Sequence, residues 1–319
     1  MKIKNILLCA SVLMLGSMNT VSAAGATTIE VPNTKPFVKL ISNVVYEQVP
    51  SRGYDNVAMK MDILKPQTKS SLPAIVYVTG GGFINANKDS YIQQRVELAE
   101  AGYVVASIEY RVAPTAVFPE PLEDVKAAVR YLRANSAKLG INKKKVGIMG
   151  GSAGGYLVAM AGVTSNTKTF DKGENLKESS SVQAVVDTYG VSDLTKIGAD
   201  YNEAVQELHK SAGATEALWV NGSPVFGGKD GGILADPQKA QAANPLTYVS
   251  AQTPPFLLFH GNADVVVSPS QSQLVYDALQ AKNVESELYY VKGAAHGGPI
   301  WVQKPIMDKV ITFFNKHLK

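Results

Sequence analysis

The sequence predicts an α/β fold, a mostly parallel sheet with helices on both faces. Three observations predict it. Short apolar runs of buried-strand type recur along the chain after residue 40. Stretches with apolar residues at helical spacing lie between them. The two kinds of segment alternate instead of segregating, which is the pattern of strand–helix–strand units. The 319 residues are 45% hydrophobic, enough for one large core. No linker strong enough to divide the chain appears, and no internal repeat is visible.

The first residues differ from the rest. Lys2 and Lys4 precede an apolar run from Ile6 to Met18, followed by Val21-Ser22-Ala23. A charged start, a short apolar stretch and small residues at a cleavage position read as a secretory signal peptide over residues 1–23. A membrane anchor is the competing reading, but a comfortable span needs about 20 apolar residues. Cleavage after Ala23 leaves residues 24–319 as one exported catalytic domain, destined for the periplasm or the medium. It removes Cys9, the only cysteine, so the mature chain has no disulfide and no cysteine metal site. It also removes Lys2 and Lys4, so the net charge of +4 becomes +2. That balance carries no footprint for nucleic acid, and Lys143-Lys144-Lys145 reads as a solvated turn. No stable membrane insertion is expected, and the sequence does not set the oligomeric state.

The strands follow in order. Val57, Met59, Met61 and Ile63 alternate with polar or small residues, as in a half-buried strand. Residues 74–78, 104–108, 146–149, 184–186, 256–259 and 287–291 are short apolar runs. Between them, Leu122, Val125, Val129 and Leu132 repeat at helical spacing behind Pro119 and Pro121. Residues 153–163, 270–282 and 303–317 also read as helices. Residues 165–181 and 192–250 fit less well. The second segment holds Gly222, Gly227, Gly228, Gly231 and Gly232 and reads as an insertion near the site, with a helix around 200–211.

The strongest local feature is Gly150-Gly151-Ser152-Ala153-Gly154, a G-x-S-x-G turn between an apolar strand and a small-residue helix. The chain must reverse sharply there, and the glycines let neighbouring segments approach. Ser152 then stands at a helix N-terminus, where the dipole favours developing negative charge. That placement makes Ser152 the candidate nucleophile, and the N–H of Ala153 a candidate oxyanion donor.

Thr79-Gly80-Gly81-Gly82-Phe83 follows the strand at 74–78 and reads as the rest of an oxyanion hole. A phosphate-binding loop would want a helix immediately after and usually a lysine, and neither follows. Of the four histidines, His296 lies in a glycine-rich loop directly after a strand and is the candidate base. His209 and His317 read as exposed, and His260 as a structural residue bonding the loop backbone. Asp264 ends a strand-to-loop segment 32 residues before His296 and is the candidate acid. Asp193, after an earlier strand, competes for that role. The order Ser, Asp, His is the one expected for such a sheet.

These residues bring the chain close to a known group. It resembles the hormone-sensitive-lipase-like esterases of the α/β-hydrolase superfamily, nearest to secreted bacterial carbohydrate acetyl or feruloyl esterases. Glu109-Tyr110-Arg111-Val112-Ala113-Pro114, Phe118-Pro119, Leu122-Glu123-Asp124-Val125, Gly150 to Gly155 and Pro254 to Asp264 carry the resemblance. It implies the α/β-hydrolase fold, an eight-stranded mostly parallel sheet with an inserted segment near the active site, and Gly81 and Gly82 as oxyanion donors. Thr79 stands where that family has a loop-bracing histidine.

The expected function is ester hydrolysis through an acyl-enzyme, on small acyl groups such as acetyl or hydroxycinnamoyl carried by a carbohydrate or similar alcohol. Phe83, Trp219 and Phe226 are the aromatic candidates for substrate contact, with Tyr201 in the same insertion. No metal or organic cofactor is implied, because no cluster of His, Asp and Glu has ligand spacing. A general carboxylesterase or lipase, a peptidase of the same fold, and an inactive binding protein are the rival readings.

Overall fold

The computed structural model describes residues 25–51 and 53–319. The signal-peptide expectation for residues 1–23, with Cys9, lies outside them. The chain divides into two units, Met1–Thr34 and Lys35–Lys319. In the first, the described residues form neither helix nor strand. The second carries the fold.

Eight strands build its sheet: β1 (Val38–Ser51), β2 (Tyr54–Pro66), β3 (Leu72–Val78), β4 (Val104–Ile108), β5 (Ile141–Gly151), β6 (Val185–Thr188), β7 (Phe256–Gly261) and β8 (Ser286–Val291). Their spatial order is β1-β2-β4-β3-β5-β6-β7-β8. The β1–β2 and β2–β4 pairs are antiparallel, and every other pair is parallel. This is the arrangement expected of the α/β-hydrolase fold.

Strand residues alternate between two cores. Ala74, Val76 and Val78 of β3 face one core, with Leu122 and Val125 of α2 (Glu120–Ala134), α4 (Ala153–Val163), and Val275 and Leu279 of α8 (Ser270–Gln280). Ile75 and Tyr77 face the other, with Leu98 of α1 (Ile92–Glu100) and Val310 and Phe314 of α9 (Lys304–Leu318). The period of two along each strand therefore serves helices on both faces. Helix α4 is apolar all round and every one of its residues is buried, as a helix enclosed on all sides must be. No helix among the described residues is long and apolar enough to cross a membrane.

Several elements escaped the sequence reading. Strand β1 has register shifts after Ile41, Val45 and Val49, and half of its side chains are exposed. Bulges and an edge position erase the period-two pattern. Helix α1 buries only Gln94, Arg95, Leu98 and Ala99, two of them polar, so it lacks an apolar stripe. Lys143-Lys144-Lys145 is not a turn. It lies in β5, within the register shift between Ile141 and Val146. The insertion holds α5 (Glu203–Lys210), as expected, and also α6 (Thr215–Asn221) and α7 (Pro237–Ala242).

The loop over 165–181 is held by buried cations of α2. Lys126 donates to Thr164 O at 3.0 Å, Arg130 to Glu174 O at 3.0 Å, and Arg133 to Ser179 O at 2.5 Å. Backbone carbonyls thus satisfy charges that would be costly to bury alone.

Candidate active site

Strand β5 ends at Gly151, and α4 begins at Ala153. Ser152 between them has φ 56° and ψ −126°, a conformation that non-glycine residues avoid. Surrounding contacts hold it there: its N–H donates to Thr188 O at 3.0 Å, and its carbonyl accepts from Tyr156 N at 2.9 Å. Gly154 is required by close approach, since a Cβ there would collide with the backbone carbonyl of Val78. The G-x-S-x-G spacing therefore reflects the packing of α4 against the end of β3.

Ser152 Oγ lies 2.7 Å from His296 Nε2, and His296 Nδ1 lies 2.7 Å from Asp264 Oδ2. A carboxylate only accepts, so Nδ1 carries the hydrogen and Nε2 is left to accept from the serine hydroxyl. The three side chains come from the C-terminal ends of β5, β7 and β8, where ligands bind in open parallel sheets. Asn262 Oδ1 accepts from Gly293 N at 2.7 Å, and Ala294 O accepts from Ala263 N at 3.0 Å, tying the acid and base loops together. Trp301 Nε1 donates to Ala295 O at 3.0 Å, next to the base. Burial would raise the Asp264 carboxyl, but hydrogen bonds from His260, His296 and Val266 N–H outweigh it and hold the group well below the usual carboxylate range.

The competing acid is spent elsewhere. Asp193 Oδ1 accepts from Thr195 N and Oγ1 and from Asn244 Nδ2, and Oδ2 pairs with Lys196 at 3.1 Å. His209 and His317, expected to be exposed, are half-buried and face Glu216 and Glu285.

Gly81 and Gly82 border the cavity beside Ser152. The N–H groups of Gly81, Gly82 and Ala153 have no hydrogen-bond partner among the described residues. Gly82 has φ 58°, which favours glycine. Thr79 Oγ1 is buried without a partner, and the loop is braced through backbone instead: Tyr110 Oη donates to Thr79 O at 2.8 Å, and Ala113 N to Phe83 O at 2.9 Å.

The cavity measures about 280 Å³. Tyr77, Tyr91, Gln94, Met149, Tyr189 and Val266 shape it beyond the glycine loop. Within a mostly apolar lining, Tyr77 Oη donates to Gln94 Oε1 at 2.5 Å, and Tyr189 Oη to Tyr91 Oη at 3.2 Å. The Tyr189 ring packs against the His296 ring with centroids 4.7 Å apart. Sequence reasoning missed these residues. Tyr189 follows β6 directly, one strand from the serine turn, so its position at a strand's C-terminal end was the available clue.

The aromatic expectations need correction. Trp219 is fully buried and Phe83 nearly so, and their rings pack 4.6 Å apart with Tyr156 against both. They seat the insertion on the core and do not line the cavity at Ser152. Phe226 is 66% exposed but borders a different cavity, with Val117, Glu120 and Lys239. Tyr201 Oη donates to Asp264 O at 3.1 Å, a contact with the acid's loop.

Comparison with known proteins places this geometry among relatives. A family model, BD-FAE, matches residues 61–279. The esterase LipC of Mycobacterium tuberculosis is 30% identical over 76% of this chain and 58% of its own length. Isoprenylcysteine alpha-carbonyl methylesterase of Arabidopsis thaliana is 27% identical over 79% of this chain and 56% of its own. The chain thus spans under three-fifths of the length of these curated relatives. Among solved structures, a truncated carbohydrate esterase from gut microbiota is 28% identical, with a TM-score of 0.74 over 90% of this chain and 98% of that one.

Proposed function

The chain belongs to the BD-FAE family of α/β-hydrolase esterases, and on that premise we propose that it hydrolyses carboxylic esters through an acyl-enzyme on Ser152. The observation that carries the reading is the unbroken chain of hydrogen bonds from Asp264 through His296 to Ser152, 2.7 Å at each link. Ser152 Oγ attacks the ester carbonyl as His296 Nε2 takes its proton. The carbonyl oxygen becomes an oxyanion held by the N–H groups of Gly81, Gly82 and Ala153. Collapse breaks the ester bond, and His296 returns the proton to the leaving alcohol. Water then enters, gives a proton to His296 and attacks the acyl carbon. In the second collapse the bond from the acyl carbon to Ser152 Oγ breaks, His296 returns its proton to Oγ, and the acid is freed. Every proton is accounted for by these side chains, so no metal is assigned a role.

The substrate class we propose is a small acyl group, acetyl or hydroxycinnamoyl, on a carbohydrate or similar polar alcohol. Two observations support it. The cavity is of about 280 Å³, mostly apolar with tyrosine hydroxyls and a carboxamide among its lining residues, which suits a short acyl or hydroxycinnamoyl group better than a long acyl chain. The gut-microbiota structure, alike at 28% identity, is a carbohydrate esterase. Hydrolysis of plain carboxylic esters is the second reading, favoured by the likeness to LipC. On acetylated xylo-oligosaccharide, methyl ferulate and a long-chain triglyceride emulsion, kcat/KM is expected to be at least about tenfold higher for one of the first two. Fastest turnover of the emulsion with activation at its interface would make the enzyme a lipase. Poor rates on both small-acyl substrates beside fast cleavage of short aryl esters would select the second reading.

Residues 24–319 are proposed to act as a single domain outside the cytoplasm, released after Ala23. Lys2, Lys4, the apolar run to Met18 and the small residues before Ala24 support this. N-terminal sequencing of protein from an exporting host is expected to start at Ala24; an intact Met1 rejects export by cleavage.

A further inference from the structure

His260 is the penultimate residue of β7 and is fully buried. It is not among the residues that line the cavity at Ser152, yet it reaches the same carboxylate as His296. Its Nε2 lies 3.3 Å from Asp264 Oδ2 and 3.0 Å from Val267 O. Both partners only accept, so Nε2 carries the hydrogen, which is donated to Val267 O, with Asp264 Oδ2 as the second, longer neighbour. Its Nδ1 lies 2.7 Å from Oγ of Ser272, a fully buried residue of α8. In the neutral ring Nδ1 must then accept, and the Ser272 hydroxyl donates. Helix α8 thereby fixes the tautomer from behind and keeps the Nε2 hydrogen on the side of Val267 O and Asp264.

Asp264 is thus gripped on both oxygens. Oδ1 accepts from Val266 N at 2.8 Å and Val267 N at 3.1 Å. Oδ2 is divided between His296 and His260. We infer that His260 is a positioning residue: its Nε2 N–H, anchored on Val267 O and 3.3 Å from Asp264 Oδ2, sets the acid's loop and the plane of its carboxylate for His296 and stabilises part of the charge on that oxygen. The inference rests on the acyl-enzyme reading of Ser152, His296 and Asp264.

The surroundings suit that role. Among the favourable contacts that lower the Asp264 carboxyl against its burial, the hydrogen bond from His260 comes first. Asp187, fully buried at the end of β6, is the other carboxyl facing His260. Burial pushes it up to about 7, with His260 and the Gly190 N–H acting in the opposite direction. On β8 the register partner of His260 is Tyr290, and Gln271 lies beside Ser272 on α8. Tyr201 donates to the Asp264 backbone carbonyl, and Tyr189, packed on the His296 ring, also lies within reach of the Asp264 charge.

Removing the donor has a predictable sign. Without His260, the charge on Asp264 Oδ2 falls wholly on His296, favouring its protonated form. The imidazole then holds its proton to higher pH, and the acid limb of kcat/KM moves upward. At the same time the carboxylate is less well aimed, and kcat falls.

The experiment compares His260→Leu, His260→Gln and Ser272→Ala with the parent protein. An aryl acetate is the substrate, and reactive serine is titrated with a fluorophosphonate so that rates refer to intact sites. For His260→Leu we expect kcat per titrated site to fall about tenfold with KM within about twofold, and the acid limb to move up by about half a pH unit. His260→Gln, which keeps an amide N–H near the Nε2 position, should restore most of the rate and return the limb. Ser272→Ala, which frees the tautomer but keeps the ring, should shift the limb the same way by less. An unmoved limb in His260→Leu, with activity falling only in step with the titre, makes His260 purely structural and overturns the inference. If His260→Leu does not fold, an unshifted limb in Ser272→Ala overturns it. If the parent protein is not labelled at Ser152, the acyl-enzyme reading itself fails, which is a separate result.

Discussion

Replacing Ser152 with alanine is expected to lower ester hydrolysis by about a million-fold while leaving the fold intact. The rate should fall that far because the proposed route through an acyl-enzyme has no other nucleophile. What remains should come from the free N–H groups of Gly81, Gly82 and Ala153 and from substrate binding. The fold should survive because the serine hydroxyl bonds only His296 Nε2. The strained backbone at φ 56° is set by its neighbours and costs alanine no more than serine. The thermal midpoint of the variant should match the parent's, and a fluorophosphonate should label the parent at Ser152 alone. Labelling at another serine, or substantial residual turnover, would remove Ser152 from the role.

The second large effect concerns the acid. Asp264→Asn should reduce kcat by about ten-thousand-fold. An amide presents N–H as well as oxygen to His296, so the imidazole can settle with its hydrogen on Nε2. In that tautomer it cannot accept from Ser152. Asp193→Asn should change kcat by less than about threefold, because every partner of that carboxylate is local: Thr195, Lys196 and Asn244. The two variants measured side by side at pH 7 decide the matter. A larger loss in Asp193→Asn would move the acid to the loop after β6.

Much of this architecture was legible before any coordinates. Buried parallel strands such as β3, β4 and β7 announce themselves as unbroken apolar runs, because both of their faces are covered. The turn at Ser152 was legible because glycine is written into the sequence wherever backbone meets backbone. The meeting of Ser152, His296 and Asp264 could be anticipated because all three stand just beyond strand ends on one edge of the sheet. What escaped has a common cause. Strand β1 is an exposed, bulged edge, and α1 buries a glutamine and an arginine along with its apolar residues. Tyr77 lies in the apolar run at 74–78 and Gln94 carries no signal of its own until the fold joins them in the lining of one cavity. Trp219 misled for the opposite reason. A large aromatic in a glycine-rich segment looks like a stacking platform, but the segment needs its own anchor, and burying that ring provides it.

The order of the strands has a consequence in time. Ser152 and His296 are 144 positions apart in the chain, and the base loop is held by β8, the edge strand that pairs with β7 alone. As the polypeptide emerges from the ribosome, the strained serine turn is synthesised long before its base. A nascent or interrupted chain that has formed β3, β5 and α4 displays a serine with no imidazole beside it, and is silent. On the proposed mechanism, the Ser152 hydroxyl gains its base only once the chain has been made as far as the loop after β8.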